Sequence, residues 1–328
     1  MLDMGLKHNM NELIGEISGK VSEMEEMLRL FCISEDESIS RDLNRIVVSG
    51  GKRLRPIISY LCYQLAGKQE KPILPLMCML ELMHTTSLIH DDVIDDASER
   101  RGTITINQSS GNHRAIQSGD YLLANAMKML HVYKGTGINE ALSNISTQMC
   151  FGEFQQMKYL NNLKNQTINT YFMQAGRKTA YLIATSCYTG AIAGGMSIEK
   201  AEILRSYGHN IGMAFQLKDD LLDYEQKSDV DKNTGQDLRK GIFTYPVLYL
   251  KEKGLLKDME SLFEKESKSD DDIRTLENYV RINGGIEKTQ EIIRSLSSKA
   301  TKDLEFLPRT RECDALKKLA KELVTRRK

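Results

Sequence analysis

The chain is short of everything that builds sheets, staples or membrane spans. It has no tryptophan, and its five prolines stand at positions 56, 72, 75, 246 and 308 of 328 residues, so long stretches run without a helix breaker. β-Branched clusters are few, and no sustained alternation of apolar and polar residues marks a strand. The longest apolar runs fall far short of the ~20 residues that a membrane span needs, and mean hydropathy is −0.40. Met1 to Lys7 lack the charged-then-apolar layout of a secretory signal. Six cysteines (Cys32, Cys62, Cys78, Cys150, Cys187, Cys313) are scattered without a Cys-x-x-Cys pair. Neither a zinc site nor a disulfide framework is expected, and a reducing cytoplasm fits. An excess of one charge is lacking too: 45 basic side chains meet 45 acidic ones. That balance argues against an electrostatic nucleic-acid binder.

What remains is helical. Leu76, Met79, Leu80, Met83, Ser87 and Leu88 fall on i, i+3, i+4 steps, as do Leu122, Leu123, Ala126, Met127 and Leu130. Ala175 to Gly195 is small and apolar, suited to a helix packed closely on every side. Breaks are short: Gly50-Gly51, a loop from Gly102 to Gly111, Gly135-Thr136-Gly137, charged loops at Lys227 to Gly241 and Lys265 to Asp272, and Gly284-Gly285. None is long enough for an interdomain linker. The expectation is an all-α fold, one large helical bundle spanning 1–328 as a single domain.

Two segments break this composition in the same way. Asp91-Asp92-Val93-Ile94-Asp95 closes one apolar helical run, and Asp219-Asp220-Leu221-Leu222-Asp223 closes another. Aspartate is a poor helix former and seldom buried alone. On a helix, Asp91 and Asp95 share a face, as do Asp219 and Asp223. Such carboxylates repel each other until a divalent cation sits between them. All-oxygen ligands without histidine or cysteine select Mg2+, which completes its shell with water and substrate phosphates. Two acidic faces opposed across a bundle would clamp a diphosphate. A single such cluster reads as a solvated helix end; two copies, each behind an apolar run, point to metal.

A diphosphate also needs cations. Gly50-Gly51-Lys52-Arg53-Leu54-Arg55-Pro56 offers flexible backbone, three positive charges and a helix-starting proline. Arg100-Arg101 follows the first acidic cluster, and Lys178-Thr179 sits inside the small-residue helix, where a lone lysine is costly. Arg53 reads as a surface charge. His84, on the apolar helix two turns before Asp91, reads as a substrate contact. The C-terminal Thr325-Arg326-Arg327-Lys328 reads as a solvated tail.

Together these residues resemble the trans-polyprenyl diphosphate synthases. The likeness runs from about Gly50 to Pro246. The family's two aspartate-rich motifs match Asp91–Asp95 and Asp219–Asp223. Its GGKRxRP segment matches Gly50–Pro56, its RRG Arg100–Gly102, and its GDYLLA stretch Gly119–Ala124. The Lys-Thr pair is Lys178-Thr179, the Phe-Gln before the second motif is Phe215-Gln216, and the late Thr-x-Pro is Thr244-Tyr245-Pro246. Two positions depart: Asp231 stands before Lys232 where the family often has glycine, and Ile242 stands where it commonly has lysine, with Lys240 two positions earlier. Within the family the chain is most similar to the catalytic large subunit, component II, of two-component bacterial heptaprenyl diphosphate synthases.

The resemblance implies a bundle of isoprenyl-synthase type and a head-to-tail condensation. Three Mg2+ ions, held by Asp91, Asp95 and Asp219 with Asp92 and Asp223, bind an allylic diphosphate and promote its ionisation. The double bond of isopentenyl diphosphate attacks the allylic cation, and released diphosphate takes the proton. Lys52, Arg55, His84 and Arg101 are implied to hold isopentenyl diphosphate. Arg100, Lys178, Thr179, Gln216 and Lys232 are implied to contact the allylic diphosphate, with Lys178, Thr179 and Gln216 also facing the cation. Partnership is either a homodimer or a heterodimer with a small regulatory subunit.

In this family bulky aromatics at the fifth and fourth positions before the first motif stop chain growth early. Here those positions are Thr86 and Ser87. At ~1.5 Å per residue Ser87 lies roughly 6 Å below Asp91, Met83 about 12 Å and Met79 about 18 Å. The open first turn favours a product of about C30 to C40, of the kind used for quinone side chains. Geranylgeranyl diphosphate (C20) synthesis is the runner-up, because other helices can close the tunnel. A terpene cyclase has no need of Lys52, Arg55 and Arg101, and a non-catalytic helical subunit or scaffold would be expected to lose metal aspartates.

Overall fold

The structure, a computed structural model, describes residues 2–224, 234–256 and 259–325, with side chains over 10–224, 234–256 and 259–322. Lys232 and Arg326 to Lys328 lie outside the described residues. The fold is all-α, as the missing prolines and strand signals require. The only strands among the described residues are two of two residues each. The chain folds as two compact units.

The first unit takes Met1–Ser143, Thr185–Leu204 and Pro308–Leu316. It begins with α1 (Leu2–Phe31), α2 (Glu37–Val48), α3 (Leu54–Ala66) and α4 (Leu74–Ile94). A hairpin of β1 (Glu99–Arg100) and β2 (Thr103–Ile104) follows, then α5 (Ile106–Ser110) and α6 (Asn112–Lys128). Pro75 opens α4, whose first turn needs no N–H donors. Leu76 to Met83 are buried without a gap. The i, i+3, i+4 stripe read from sequence is therefore only part of a helix apolar all round, and α1, α3 and α6 pack on it. Two close approaches lock this unit. A Cβ on Gly119 of α6 would sit 2.3 Å from the imidazole of His90, and one on Gly190 would meet the Ser59 carbonyl oxygen at 2.2 Å. Met127, expected on the inner stripe of α6, is 52% exposed.

The second unit takes Asn144–Ala184, Arg205–Leu307 and Lys317–Lys328. The chain runs on through α7 (Ile138–Tyr159), α8 (Ile168–Ala175), α9 (Tyr181–Ala193), α10 (Ile198–Leu222), α11 (Gln236–Arg239) and α12 (Tyr245–Glu252), with α9 from Thr185 and α10 up to Leu204 counted in the first unit. It closes with α13 (Glu260–Phe263), α14 (Asp270–Ile282), α15 (Gly285–Asp303) and α16 (Arg311–Thr325). Tyr171, Leu217, Phe243, Val247, Phe263 and Leu276 share its core. Between α8 and α9, Gly176–Ala180 winds as a single π turn. The stretch read as one small-residue helix is thus interrupted where Lys178 and Thr179 stand. Gly152 and Gly212 let α7 and α10 close on it: an added Cβ would lie 3.1 Å from the Lys178 backbone nitrogen and 2.6 Å from the Ala180 α-carbon respectively.

Three loops read from sequence are more ordered than expected, because side chains cap short helices. Thr105 accepts from the Gln108 N–H and starts α5 inside the Gly102–Gly111 loop. Ser269 and Asp272 form a capping box, so α14 begins before the Lys265–Asp272 loop ends. α11 occupies the described end of the Lys227–Gly241 loop.

Candidate active site

Both aspartate motifs sit at helix C-termini, α4 in the first unit and α10 in the second. The last carbonyls of a helix carry partial negative charge, so a carboxylate cluster there is repelled by its own helix as well as by its neighbours. A bound cation reverses the sign of both terms. Asp95 is the C-cap of α4, its N–H bonded to the Asp91 carbonyl at 2.8 Å. Asp92, by contrast, is buried at 3% exposure. Its carboxylate accepts from Arg100 Nε at 2.6 Å and its carbonyl from Asn107 Nδ2 at 3.1 Å. Burial pushes its carboxyl up while Arg100 pulls it down. In this structure Arg100 and Asp92 thus engage each other and anchor the hairpin to α4.

The basic groups of the first unit gather around His84. Burial, and then Arg55, Arg101, Arg100 and Arg53, hold its imidazole well below the ordinary histidine range, so it is neutral. Arg101 reaches back to the Gly50 carbonyl. A Cβ on Gly51 would lie 2.7 Å from its guanidinium, which would then have to shift. Lys52 is exposed. Arg53 corrects the sequence reading: it is not on the surface but buried at 6% exposure, ion-paired with Glu81 and Glu25. Sequence missed this because nothing local distinguishes it from its neighbours in Lys-Arg-Leu-Arg; its partners lie on other helices.

Lower on α4, Thr86 is buried and donates to the Gly119 carbonyl at 3.3 Å. Ser87 donates to the His84 carbonyl at 2.8 Å, and Met83 and Met79 are buried at 3% and 2% exposure.

In the second unit a hydrogen-bond chain joins Thr179, Gln216, Asp220 and Tyr171. Thr179 Oγ1 donates to Gln216 Oε1 at 2.5 Å, and Gln216 Nε2 donates to Asp220 Oδ1 at 2.9 Å. Tyr171 donates to the other Asp220 oxygen at 2.5 Å. Burial pushes Asp220 up to about 7, opposed by Tyr171 and Gln216 and reinforced by Asp219 and Asp223. Asp237 is pushed up to about 8 by burial and by Asp220 and Asp223. Asp223 caps α11: its carboxylate accepts the N–H groups of Gln236 and Asp237 at 2.9 and 3.0 Å. Lys178 does not join this chain but pairs with Glu153 and Gln156, each at 3.1 Å. Sequence reasoning missed Tyr171, Glu153 and Gln156. The last two are i and i+3 on one helix directly after Gly152, a faint signal without the π turn that faces them.

The donor chemistry fits Mg2+. Every candidate ligand is a hard carboxylate oxygen, crowded with like charge at the negative end of a helix. Among the described residues no three histidine, cysteine or acidic groups close into a cage. An ion held by one or two carboxylates, water and phosphate oxygens requires none.

Comparison with known proteins agrees with this chemistry. A family model described as polyprenyl synthetase matches residues 36–280. Heptaprenyl diphosphate synthase component 2 of Bacillus subtilis (strain 168) is 32% identical over 326 residues, covering 99% of this chain and 92% of that one. The crystal structure of a decaprenyl diphosphate synthase from Rhodobacter capsulatus aligns with a TM-score of 0.89 at 30% identity, over 96% of this chain and 98% of that one. A polyprenyl synthase from Caulobacter crescentus CB15, complexed with calcium and isoprenyl diphosphate, gives 0.89 at 28% identity, over 97% and 98%. A family match across three quarters of the chain, joined to a relative aligned over nearly all of it, decides the matter: the protein belongs to the polyprenyl synthetase family of all-α prenyltransferases.

Proposed function

We propose that residues 1–328 act as one catalytic domain that extends an allylic diphosphate, farnesyl or geranylgeranyl, with isopentenyl diphosphate. The product is an all-trans polyprenyl diphosphate of about C30 to C40 for quinone side chains, made in the cytoplasm. The observation that carries this reading is the small, aromatic-free stretch of α4 below Asp91, where the buried Thr86 and the half-buried Ser87 put no ring in the first turn. The named relatives make heptaprenyl and decaprenyl products.

Asp91, Asp92, Asp95, Asp219 and Asp223 are the residues to hold three Mg2+. Bound Mg2+ would neutralise the diphosphate and ease departure of its leaving oxygen. Lys52, Arg55, His84 and Arg101 hold isopentenyl diphosphate, the neutral His84 as a hydrogen-bonding partner rather than a fourth cation. Arg100, Lys178, Thr179, Gln216 and Lys232 contact the allylic diphosphate. The Thr179–Gln216–Asp220 chain fixes the amide of Gln216, so its dipole is oriented before positive charge develops on the allyl group. The C–O bond of the allylic diphosphate breaks, the C=C bond of isopentenyl diphosphate forms the new C–C bond, and the departing diphosphate takes the proton.

A second chain is part of the reading. Phe151, Phe154 and Met157 of α7, with Leu160 just beyond its end, form an exposed apolar stripe, 48%, 65%, 59% and 42% exposed. Such a stripe fits a homodimer or a heterodimer with a small regulatory subunit. The deciding experiment incubates the purified chain with Mg2+, farnesyl diphosphate and radiolabelled isopentenyl diphosphate, and reads product lengths after dephosphorylation. A ladder ending between C30 and C40 is expected. A stop at C20 makes it a geranylgeranyl diphosphate synthase, and no incorporation with any primer points to a missing subunit.

A further inference from the structure

Arg53 is buried, and its guanidinium is already engaged by the protein. Each of its three guanidinium nitrogens already has a partner: Nη1 donates to Glu81 at 2.6 Å, Nε to Glu25 at 3.1 Å, and Nη2 to the Val47 carbonyl at 2.7 Å. Those partners belong to α4, α1 and α2. Glu81 is as buried as Arg53, with side chains 4% and 5% exposed, whereas Glu25 is 44% exposed. The Arg53 backbone is left-handed, at φ 45° and ψ 35°, a conformation that a non-glycine residue keeps only where its surroundings enforce it.

Two further observations give this clamp a direction. Arg53 lies between Lys52 and Arg55, while Glu81 sits one helical turn before His84 on α4. Glu81 also attracts the guanidinium of Arg101, which Arg53 and Arg100 repel. The Gly50-Gly51 end of the same loop is held by Arg101. One buried carboxylate therefore stands behind a cluster of arginines, and Arg53 is the one that takes it up.

We propose that Arg53 is a positioning residue for isopentenyl diphosphate: clamped by Glu81 and Glu25, it fixes the Gly50–Pro56 loop against α4 and keeps Glu81 from drawing Arg101 inward. This rests on reading Lys52, Arg55, His84 and Arg101 as the isopentenyl diphosphate ligands. It assigns a task to a residue that touches no substrate.

The test is calorimetric titration of the full-length chain, in Mg2+, with isopentenyl diphosphate and separately with farnesyl diphosphate. Arg53→Gln is expected to weaken isopentenyl diphosphate binding about tenfold and farnesyl diphosphate binding less than about twofold. Glu81→Gln does the same. The double variant loses less than the product of the two, because removing both partners leaves no buried charge unpaired. Equal weakening of both ligands, multiplying effects, or a lowered Tm with unchanged affinity overturns the proposal. If Arg53→Gln does not fold, Glu25→Gln removes only the half-exposed partner. It should still weaken isopentenyl diphosphate binding about twofold, and unchanged affinity overturns the proposal there too. Lys52→Ala and Arg55→Ala separate the levels. If neither alters isopentenyl diphosphate binding, the ligand reading fails. If they do and Arg53→Gln does not, only the positioning role fails.

Discussion

Asp220 and Asp237 ionise late in the folded chain, at about 7 and about 8, because burial and neighbouring carboxylates disfavour their charge. Unfolded, both return to the ordinary 3.8. Between those values the folded chain holds protons that the unfolded chain has lost. Stability therefore falls as pH rises from about 4 to about 8, and the contribution is flat above that. The metal-free protein should melt several degrees lower at pH 8 than at pH 5.5. Mg2+ beside Asp219 and Asp223 would offset the charge of the neighbouring Asp220, so its addition should raise Tm more at pH 8 than at pH 5.5. Differential scanning calorimetry in EDTA and in Mg2+ checks both; a Mg2+ effect larger at the lower pH would contradict the placement of the metal. The aspartates themselves were legible in the sequence, since Asp-Asp-x-x-Asp behind an apolar run has few structural uses. Their inequality was not. That Asp92 turns to Arg100, that Asp220 is buried against Tyr171, and that Asp223 caps α11 depend on partners brought in by folding.

At the scale of the element, α4 is both the core of its unit and the ruler of the proposed reaction. Its unbroken burial from Leu76 to Met83 means that no residue there can grow without displacing a neighbour. Ser87 is half-buried and small, with its hydroxyl turned back to the His84 carbonyl. Ser87→Phe should therefore shorten the product to about C15–C20 while leaving the first condensation intact, as read by chromatography of the dephosphorylated products. An unchanged ladder would move the stop to another helix. The helices were visible in sequence through their period and their lack of proline. The short capped ones were not, because α5, α11 and the start of α14 depend on side-chain oxygens that accept backbone N–H groups. Nor was the π turn: its two cations stand out between the uncharged α8 and α9, but nothing in the local sequence says that the helix widens there.

For the whole molecule, the apolar stripe on α7 bears on assembly. Phe154 is 65% exposed and central to the stripe, and an acidic side chain there would have to be desolvated in any packed interface. Phe154→Glu should leave Tm of the isolated chain within a few degrees of wild type and abolish self-association, or association with a small subunit, in sedimentation velocity. Association unchanged by this substitution would place the partner elsewhere. Composition foretold the broad character of the molecule: balanced charge, no apolar run of membrane length, and helices throughout. None of the described helices is long and apolar enough to cross a membrane.

The π turn at Gly176–Ala180 holds one residue more than the α-helix it interrupts needs, and that surplus carries Lys178 and Thr179. Deleting a single residue there would let the segment rewind as ordinary α-helix while α8 and α9 kept their own registers. The chain would gain regular hydrogen bonds, yet the lysine and threonine would swing about 100° around the axis, away from Gln156 and Gln216. Such a shortened chain should fold at least as firmly as the parent and make no product. The proposed contacts of Lys178 and Thr179 would then rest on a miscount in a helix, and regularity would erase them.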